Sequence, residues 1–186
     1  MSVTREKILE LGENLIRTKG YNAFSYYDIS KELGIKNAAI HYYFPTKANL
    51  GTSIVKTNIQ RFEEMIGNMN ILKFNEWQQL DALIKIYVKS HREKKLCIVG
   101  SMGPDFNTLD DSTKIELIRM TELIMEWLTD LLKRGKDNKT FAFAEEPRQK
   151  AAIIFSNLVA SLQLSRIMGK FDHKGFYQSI IEDLKP

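Results

Sequence analysis

One cysteine, Cys97, stands in 186 residues, so no disulfide can form within the chain. That scarcity suits a reducing, cytoplasmic setting. Histidine is nearly as rare: His41, His91 and His173 are scattered without metal-ligand spacing, and no glycine-rich phosphate loop occurs. Cys97 has no indicated base. The chain therefore offers no catalytic constellation, no metal set and no cofactor site, and it reads as a non-enzyme. Long apolar runs are missing too. The longest, Ala151 to Leu164, is interrupted by Ser156, Asn157, Ser161 and Gln163 and reads as too short to span a bilayer. The N-terminus is charged and amphipathic from the start, unlike a signal peptide. No internal repeat or low-complexity segment is present.

What is present is helical periodicity and a modest positive charge. A net charge of +4 and a pI near 9.0 permit nucleic-acid binding without requiring it. The most informative stretch is residues 25–50, SYYDISKELGIKNAAIHYYFPTKANL. Ser25 with Asp28 three residues later forms a capping box that opens a short helix. Ile29 and Leu33 share one face, and Gly34 can take the left-handed conformation that ends it. A second short helix spans about residues 37–43. Its Ile40, with Ile35 and Phe44, meets Ile29 and Leu33 across the turn. Pro45 stops it, and Thr46 caps a third helix starting at Lys47. Two short helices joined by a glycine turn over a shared apolar seam predict a helix-turn-helix.

The exposed face of the second helix carries the expected chemistry. Asn37, Ala38, Ala39 and His41 are placed to meet base edges in a major groove: an amide can pair with adenine, and a small methyl can touch thymine. Lys36, Tyr42, Tyr43, Thr46 and Lys47 are expected along the DNA backbone, with Tyr26 as a further phosphate contact or else a packing residue. The first turn of the helix after Thr46 also suits an anion. The run from Gly34 through Tyr42, Tyr43, Phe44, Pro45 and Lys47 to Leu50 resembles the DNA-binding signature of the TetR/AcrR family of transcriptional regulators. The likeness begins earlier, in TREKILELGENLIRTKGYNAFS, and covers roughly the first 60 residues. Two departures stand out. Lys36 occupies a position where many members carry a serine or threonine cap, and His41-Tyr42 replaces a commoner Tyr-His order.

The remaining chain reads as all-α, giving about nine helices. Residues 1–50 form a three-helix headpiece, with Thr4 capping the first helix. Residues 51–186 form a ligand-binding and dimerisation region. A helix from Lys47 ends near Ile66 at Gly67-Asn68. Another runs from Glu76, capped by Asn75, to near Arg92. Cys97 to Gly103 is expected to be buried, and a long, deeply buried helix spans about Ser112 to Arg134. Pro147 opens the next. Its apolar residues fall on nearly every side. With the last helix it offers a dimer surface at Ile154, Leu158, Leu162, Phe176 and Ile180, the pair the resemblance also implies. The resemblance implies an effector cavity among the middle helices, for which Trp77, Tyr87, Met102, Phe106, Met120, Ile124, Trp127 and Phe155 supply a mostly apolar lining. Cys97, near Arg92, Lys94 and Lys95, is a candidate thiol sensor. The expected partners are thus an operator in double-stranded DNA, a small-molecule effector and a second copy of the chain, with no membrane. The leading expectation is a homodimeric repressor released by its ligand. A thiol-sensing repressor and a helical small-molecule carrier are the alternatives.

Overall fold

The computed structural model describes residues 5–186, so the expected cap Thr4 lies outside the described residues. Among these residues nine α-helices and one 3-10 helix form, with no strand. The helices are α1 (Arg5–Lys19), α2 (Tyr26–Leu33), α3 (Asn37–Tyr43), α4 (Lys47–Ile71), α5 (Glu76–Arg92), α6 (Ile98–Met102), α7 (Asp111–Asp137), α8 (Pro147–Met168) and α9 (His173–Glu182). The 3-10 helix, Gly103–Thr108, follows α6. Contacts divide the chain into two compact units. The first comprises the chain up to Phe62 together with Ile98–Met120, and the second comprises Glu63–Cys97 and Thr121–Pro186. The divisions fall inside α4 and α7, so each of these helices contributes to both units.

The first unit is built on the apolar stripe of α1. Ile8, Leu11, Leu15 and Ile16 are buried, and α1 packs on α2 and α6. Ile29, Ile40, Phe44, Leu50 and Ile54 complete this core. Glu13 of α1 is also buried; it accepts from Arg61 of α4 at 2.7 Å and lies 3.5 Å from Arg17, so its charge is compensated where water is excluded. The segment 98–120 is fastened to the α1–α2 connection. The Asp105 carboxylate accepts from the Asn22 backbone N–H and side-chain amide, both at 3.1 Å, and that amide also donates to Thr108 Oγ1 at 2.7 Å.

In the second unit α5 packs against α8. Asn75 and Gln78 cap α5 reciprocally, each side chain accepting from the other's backbone N–H. The buried Lys150 of α8 pairs with Asp183, just beyond α9, at 2.5 Å. His173 is buried with neither ring nitrogen hydrogen-bonded among the described residues, and its ring lies 3.2 Å, centroid to centroid, from that of His91. Burial depresses its pKa and His91 adds to the effect, against an opposing pull from Asp172. A histidine held neutral in the fold takes up its proton more readily once unfolded. The unfolded state therefore binds more protons as pH falls below about 6.5, and stability declines in that direction. Lowering the pH from 7 to 5 should lower the thermal midpoint through this group. His173→Phe should flatten that dependence, and an unchanged pH profile in the variant would rule the effect out.

Three expected features differ. First, α4 continues past Gly67-Asn68 to Ile71. A glycine inside a helix costs only about 1 kcal/mol, too little to end it alone. The closure comes instead at Lys73, which takes a left-handed φ of 53°, with the Phe74 N–H bonding back to Met69. Second, α7 is buried along one stripe and not on all sides: Thr113, Leu117, Ile124, Leu128, Leu131 and Leu132 are covered along its length, whereas Ile115 and Ile118 are exposed. Third, within the expected buried run, Ile98, Gly100, Ser101 and Met102 are covered, but Cys97 is half-buried and Gly103 exposed. The length argument against membrane crossing also fails for α8, because the helix that forms has 22 residues and is apolar enough to cross a membrane by length and composition. One side of it is nonetheless spent on packing, with Ala151, Ile154, Phe155, Leu158 and Leu162 buried.

Candidate nucleic-acid interface

The helix-turn-helix is assembled by local chemistry. The Asp28 carboxylate accepts from the Ser25 backbone N–H at 2.7 Å and from its hydroxyl at 2.8 Å, which starts α2 and holds the Asp28 pKa below its usual value. Gly34 ends α2 with φ 66° and ψ 35°, a conformation that disfavours any residue with a Cβ. The turn brings α3 against α2, where Ile29 and Ile40 are fully buried. Ile40 is the one buried residue of α3. Lys36, Asn37, Ala38, Ala39, His41, Tyr42 and Tyr43 are all exposed, and Tyr42 has 81 % of its surface free. Seven outward side chains thus surround a single inward anchor. Such a surface, with small residues at its start, lets a helix approach base edges closely.

His41 is held in a definite orientation. Its Nδ1 lies 2.9 Å from the Pro45 carbonyl oxygen, and its ring meets the Tyr26 ring edge-on at 4.9 Å. A carbonyl can only accept, so Nδ1 carries the proton in this bond. In the neutral ring Nε2 is then an acceptor, matched to an exocyclic amine of adenine or cytosine. Thr46 caps α4: its hydroxyl accepts from the Asn49 N–H at 3.1 Å, and the Asn49 side chain accepts from the Thr46 N–H at 3.1 Å. Thr46 remains exposed beside the start of α4.

Two residues expected on the DNA backbone face inward instead. Tyr26 is buried, with its hydroxyl 2.8 Å from the Phe44 carbonyl and 2.6 Å from that of Thr46, and burial pushes its pKa up to about 12. It ties α2 to the end of α3 and offers no hydroxyl to a phosphate. The exposed neighbour is Tyr27, with 64 % of its surface free. Lys47 donates to the Phe24 carbonyl at 2.5 Å and lies 4.7 Å and 4.4 Å from the Tyr21 and Phe24 ring centroids. Burial lowers its pKa, although Asp105 and Asp28 oppose this. Its ammonium is a clamp within the headpiece. Sequence spacing carried the signal for both: Tyr26 precedes the buried Ile29 by three residues, and Lys47 precedes the buried Leu50 by three.

The other candidates are dispersed. Met102, Phe106 and Met120 belong to the first unit, and Trp77, Tyr87, Ile124, Trp127 and Phe155 to the second. Trp77 stacks edge-on against Phe141 at 4.6 Å, and Tyr87 is fully buried beside Cys97, its hydroxyl pKa raised by burial first and by Cys97 second. A cavity of about 330 Å³ in the second unit is lined by none of these eight residues. Of the dimer candidates, Ile154, Leu158, Leu162 and Ile180 are already covered within the chain, and Phe176 is half-buried. The side of α8 left open is a different stripe: Ile153, Ser156, Asn157, Ala160, Leu164 and Ile167.

Residues 8–52 match the family described as bacterial regulatory proteins, tetR family. That span runs from the first buried isoleucine of α1, through the whole helix-turn-helix, into α4. Over these residues the chain belongs to the TetR family. Like others of this family it is a transcriptional regulator, and its likeness to relatives extends over nearly the full chain. The crystal structure of a TetR transcriptional regulator from Legionella pneumophila superposes with a TM-score of 0.87 at 28 % identity, covering 100 % of this chain and 99 % of the other. An uncharacterised HTH-type transcriptional regulator of Lactococcus lactis subsp. lactis is 25 % identical over 172 residues, 88 % of this chain and 84 % of that protein. The HTH-type transcriptional repressor NemR of Escherichia coli (strain K12) is 18 % identical over 175 residues, 91 % of this chain and 87 % of that repressor. The likeness in fold thus extends to the helices beyond α4, which the sequence matched only in length and helical character.

Proposed function

We propose that this TetR-family regulator is a homodimeric repressor that reads its operator with α3 and leaves it when a small-molecule effector binds. The observation that carries the reading is the outward face of α3, with Asn37, Ala38, Ala39 and His41 exposed around the buried Ile40. Asn37 offers a bidentate amide to adenine, and His41 Nε2 offers an acceptor. Tyr42, Tyr43, Thr46, Lys36 and Tyr27 are available to phosphates. The open stripe of α8 supports dimerisation, because Ile153, Leu164 and Ile167 would otherwise remain in water. A twofold pair sets two recognition helices about 34–36 Å apart, one turn of DNA. Acting on chromosomal DNA makes the protein cytoplasmic.

Release requires an effector that binds one state of the dimer more tightly than the other, with a coupling of about 1–3 kcal/mol. Segment 98–120 supports a route: it belongs to the unit that holds the helix-turn-helix, yet the chain enters it from the second unit at Cys97 and returns there at Thr121. The test is titration of the purified protein against its upstream intergenic DNA and a scrambled duplex of equal length, across a range of salt. Tight, sequence-dependent binding by a dimer is expected. Asn37→Ala should relax discrimination at one base pair by about 1–3 kcal/mol and leave the salt dependence unchanged. Equal, weak binding to both duplexes would defeat the operator reading and favour a carrier.

The half-buried Cys97 supports a second reading, release by an oxidant or electrophile acting on the thiol. Under that reading Cys97→Ser keeps operator affinity and loses release by oxidant. Retained release in this variant would eliminate it.

A further inference from the structure

The cavity in the second unit lies where α5 and α8 both end. Its walls are His91, Lys94, Lys95 and Leu96 from the α5 side and Leu162, Ser165, Arg166 and Gly169 from the α8 side. Three of these carry fixed positive charge, and none of the lining residues is acidic. Glu93 offsets part of that charge from beside the cavity, pairing with Lys95 at 3.1 Å and Lys89 at 3.9 Å. Leu96 and Leu162 are buried and give the space an apolar floor. His91 Nδ1 and Ser165 Oγ, 3.0 Å apart, link the two sides.

Cations are ordinarily drawn to helix C-termini, whose carbonyls carry partial negative charge. That effect accounts for Arg166, in the last turn of α8, but not for the two lysines. Several of the terminal carbonyls are occupied by backbone donors: Lys95 N–H to Ser90 at 2.8 Å, Lys94 N–H to His91 at 2.9 Å, and Gly169 N–H to Ser165 at 3.1 Å. Lys94 and Lys95 moreover lie past the last residue of α5. Positive side chains around an open space repel one another, and an anion between them removes that repulsion.

We propose that this cavity binds a small organic anion, with a carboxylate held by Lys94, Lys95 and Arg166 and a short hydrocarbon body on Leu96 and Leu162. Its volume stands at the lower end of small-molecule sites, which suits a compact monocarboxylate. The arginine offers a fork matched to a carboxylate, and the lysines add point charges. The site shares no residue with the apolar lining expected from the sequence. Binding stands on this geometry alone; a regulatory consequence rests on the effector reading above.

The test is calorimetric titration of the full-length protein, at low salt, with hexanoate, hexanol and inorganic phosphate. Hexanoate should bind, and hexanol and phosphate should each bind at least about tenfold more weakly, lacking the charge or the hydrocarbon. The exposed Lys94→Glu should weaken hexanoate by about tenfold with an unchanged thermal midpoint, and Lys94→Gln with Arg166→Gln should weaken it further. Equal affinity for hexanol, equal affinity for phosphate, no hexanoate binding at millimolar concentration, or unchanged affinity in both variants would each overturn the proposal. Operator release is then measured separately. Hexanoate that binds without releasing DNA would leave this site standing and count only against its being the effector site.

Discussion

Ile40→Ala is expected to abolish operator binding while leaving most of the chain folded. Ile40 is fully buried, and it is the only buried residue in the seven-residue α3. A helix of two turns has no stability of its own in water, because nucleation is unfavourable and few bonds follow it. What holds α3 is the contact of Ile40 with the core that contains Ile29 and Phe44. Removing its three outer carbons costs about 2–5 kcal/mol in a packed site. That is of the order of a whole domain's stability, and here it falls on one short element. The edge-on contact of His41 with Tyr26, the bond of His41 to Pro45 and the Tyr26 hydroxyl's bonds to Phe44 and Thr46 remain, but all act at the C-terminal end of α3 and none replaces its core contact. Fluorescence anisotropy with a labelled operator should show loss of specific binding, while helical content by circular dichroism falls only slightly. Ile40→Val is the control. It deletes one methylene, costs about 0.5–1.5 kcal/mol, and should retain specific binding. Alanine at position 40 with near-normal operator affinity would mean that other contacts hold α3, and the single-anchor account would be wrong.

The headpiece was legible in sequence because its determinants are local. Ser25 with Asp28, Gly34, and Thr46 at the start of α4 each act within a few residues, and the all-helical architecture followed from periodicity. Direction was harder to read. Tyr26 and Lys47 are polar residues beside the proposed recognition helix, which suggested phosphate contacts, yet their spacing from Ile29 and Leu50 puts them on the inner face. Residue type outweighed register there. On α8 the register itself was silent. With apolar residues on nearly every side, the stripe of Ile154, Leu158 and Leu162 and the stripe of Ile153, Leu164 and Ile167 are equally plausible faces, and only packing distinguishes the buried from the open one. The cavity at the ends of α5 and α8 depends on residues more than sixty positions apart, which no local pattern connects. The same holds for the fastening of Asn22 to Asp105, which joins segment 98–120 to the helix-turn-helix unit.

Gly135→Ala is expected to destabilise the second unit, against the usual gain from removing glycine inside a helix. Gly135 lies in α7, where alanine is ordinarily favoured by about 1 kcal/mol. Here a Cβ would stand 2.0 Å from Cδ2 and 2.6 Å from Cε2 of Phe141, closer than atoms can approach. The ring has little freedom to withdraw. Phe141 is buried, it stacks edge-on against Trp77 at 4.6 Å, and its backbone N–H bonds to the Gly135 carbonyl at 3.0 Å. The Thr140 N–H donates to the same carbonyl at 2.8 Å, so the turn that delivers the ring is tied to the residue being changed. Overpacking at such a site costs about 1–3 kcal/mol, and the displaced Phe141 also loses its contact with Trp77, so the clash outweighs the helical gain. A fall in thermal midpoint of about 2–4 °C per kcal/mol is the expected reading. The pair makes this interpretable. Phe141→Leu alone should destabilise by removing the stack, whereas Gly135→Ala in that background should do little further harm or even stabilise. Such coupling isolates the contact between the two positions. If Gly135→Ala raises the midpoint in the unaltered background, the ring has room to move and helix propensity decides the outcome.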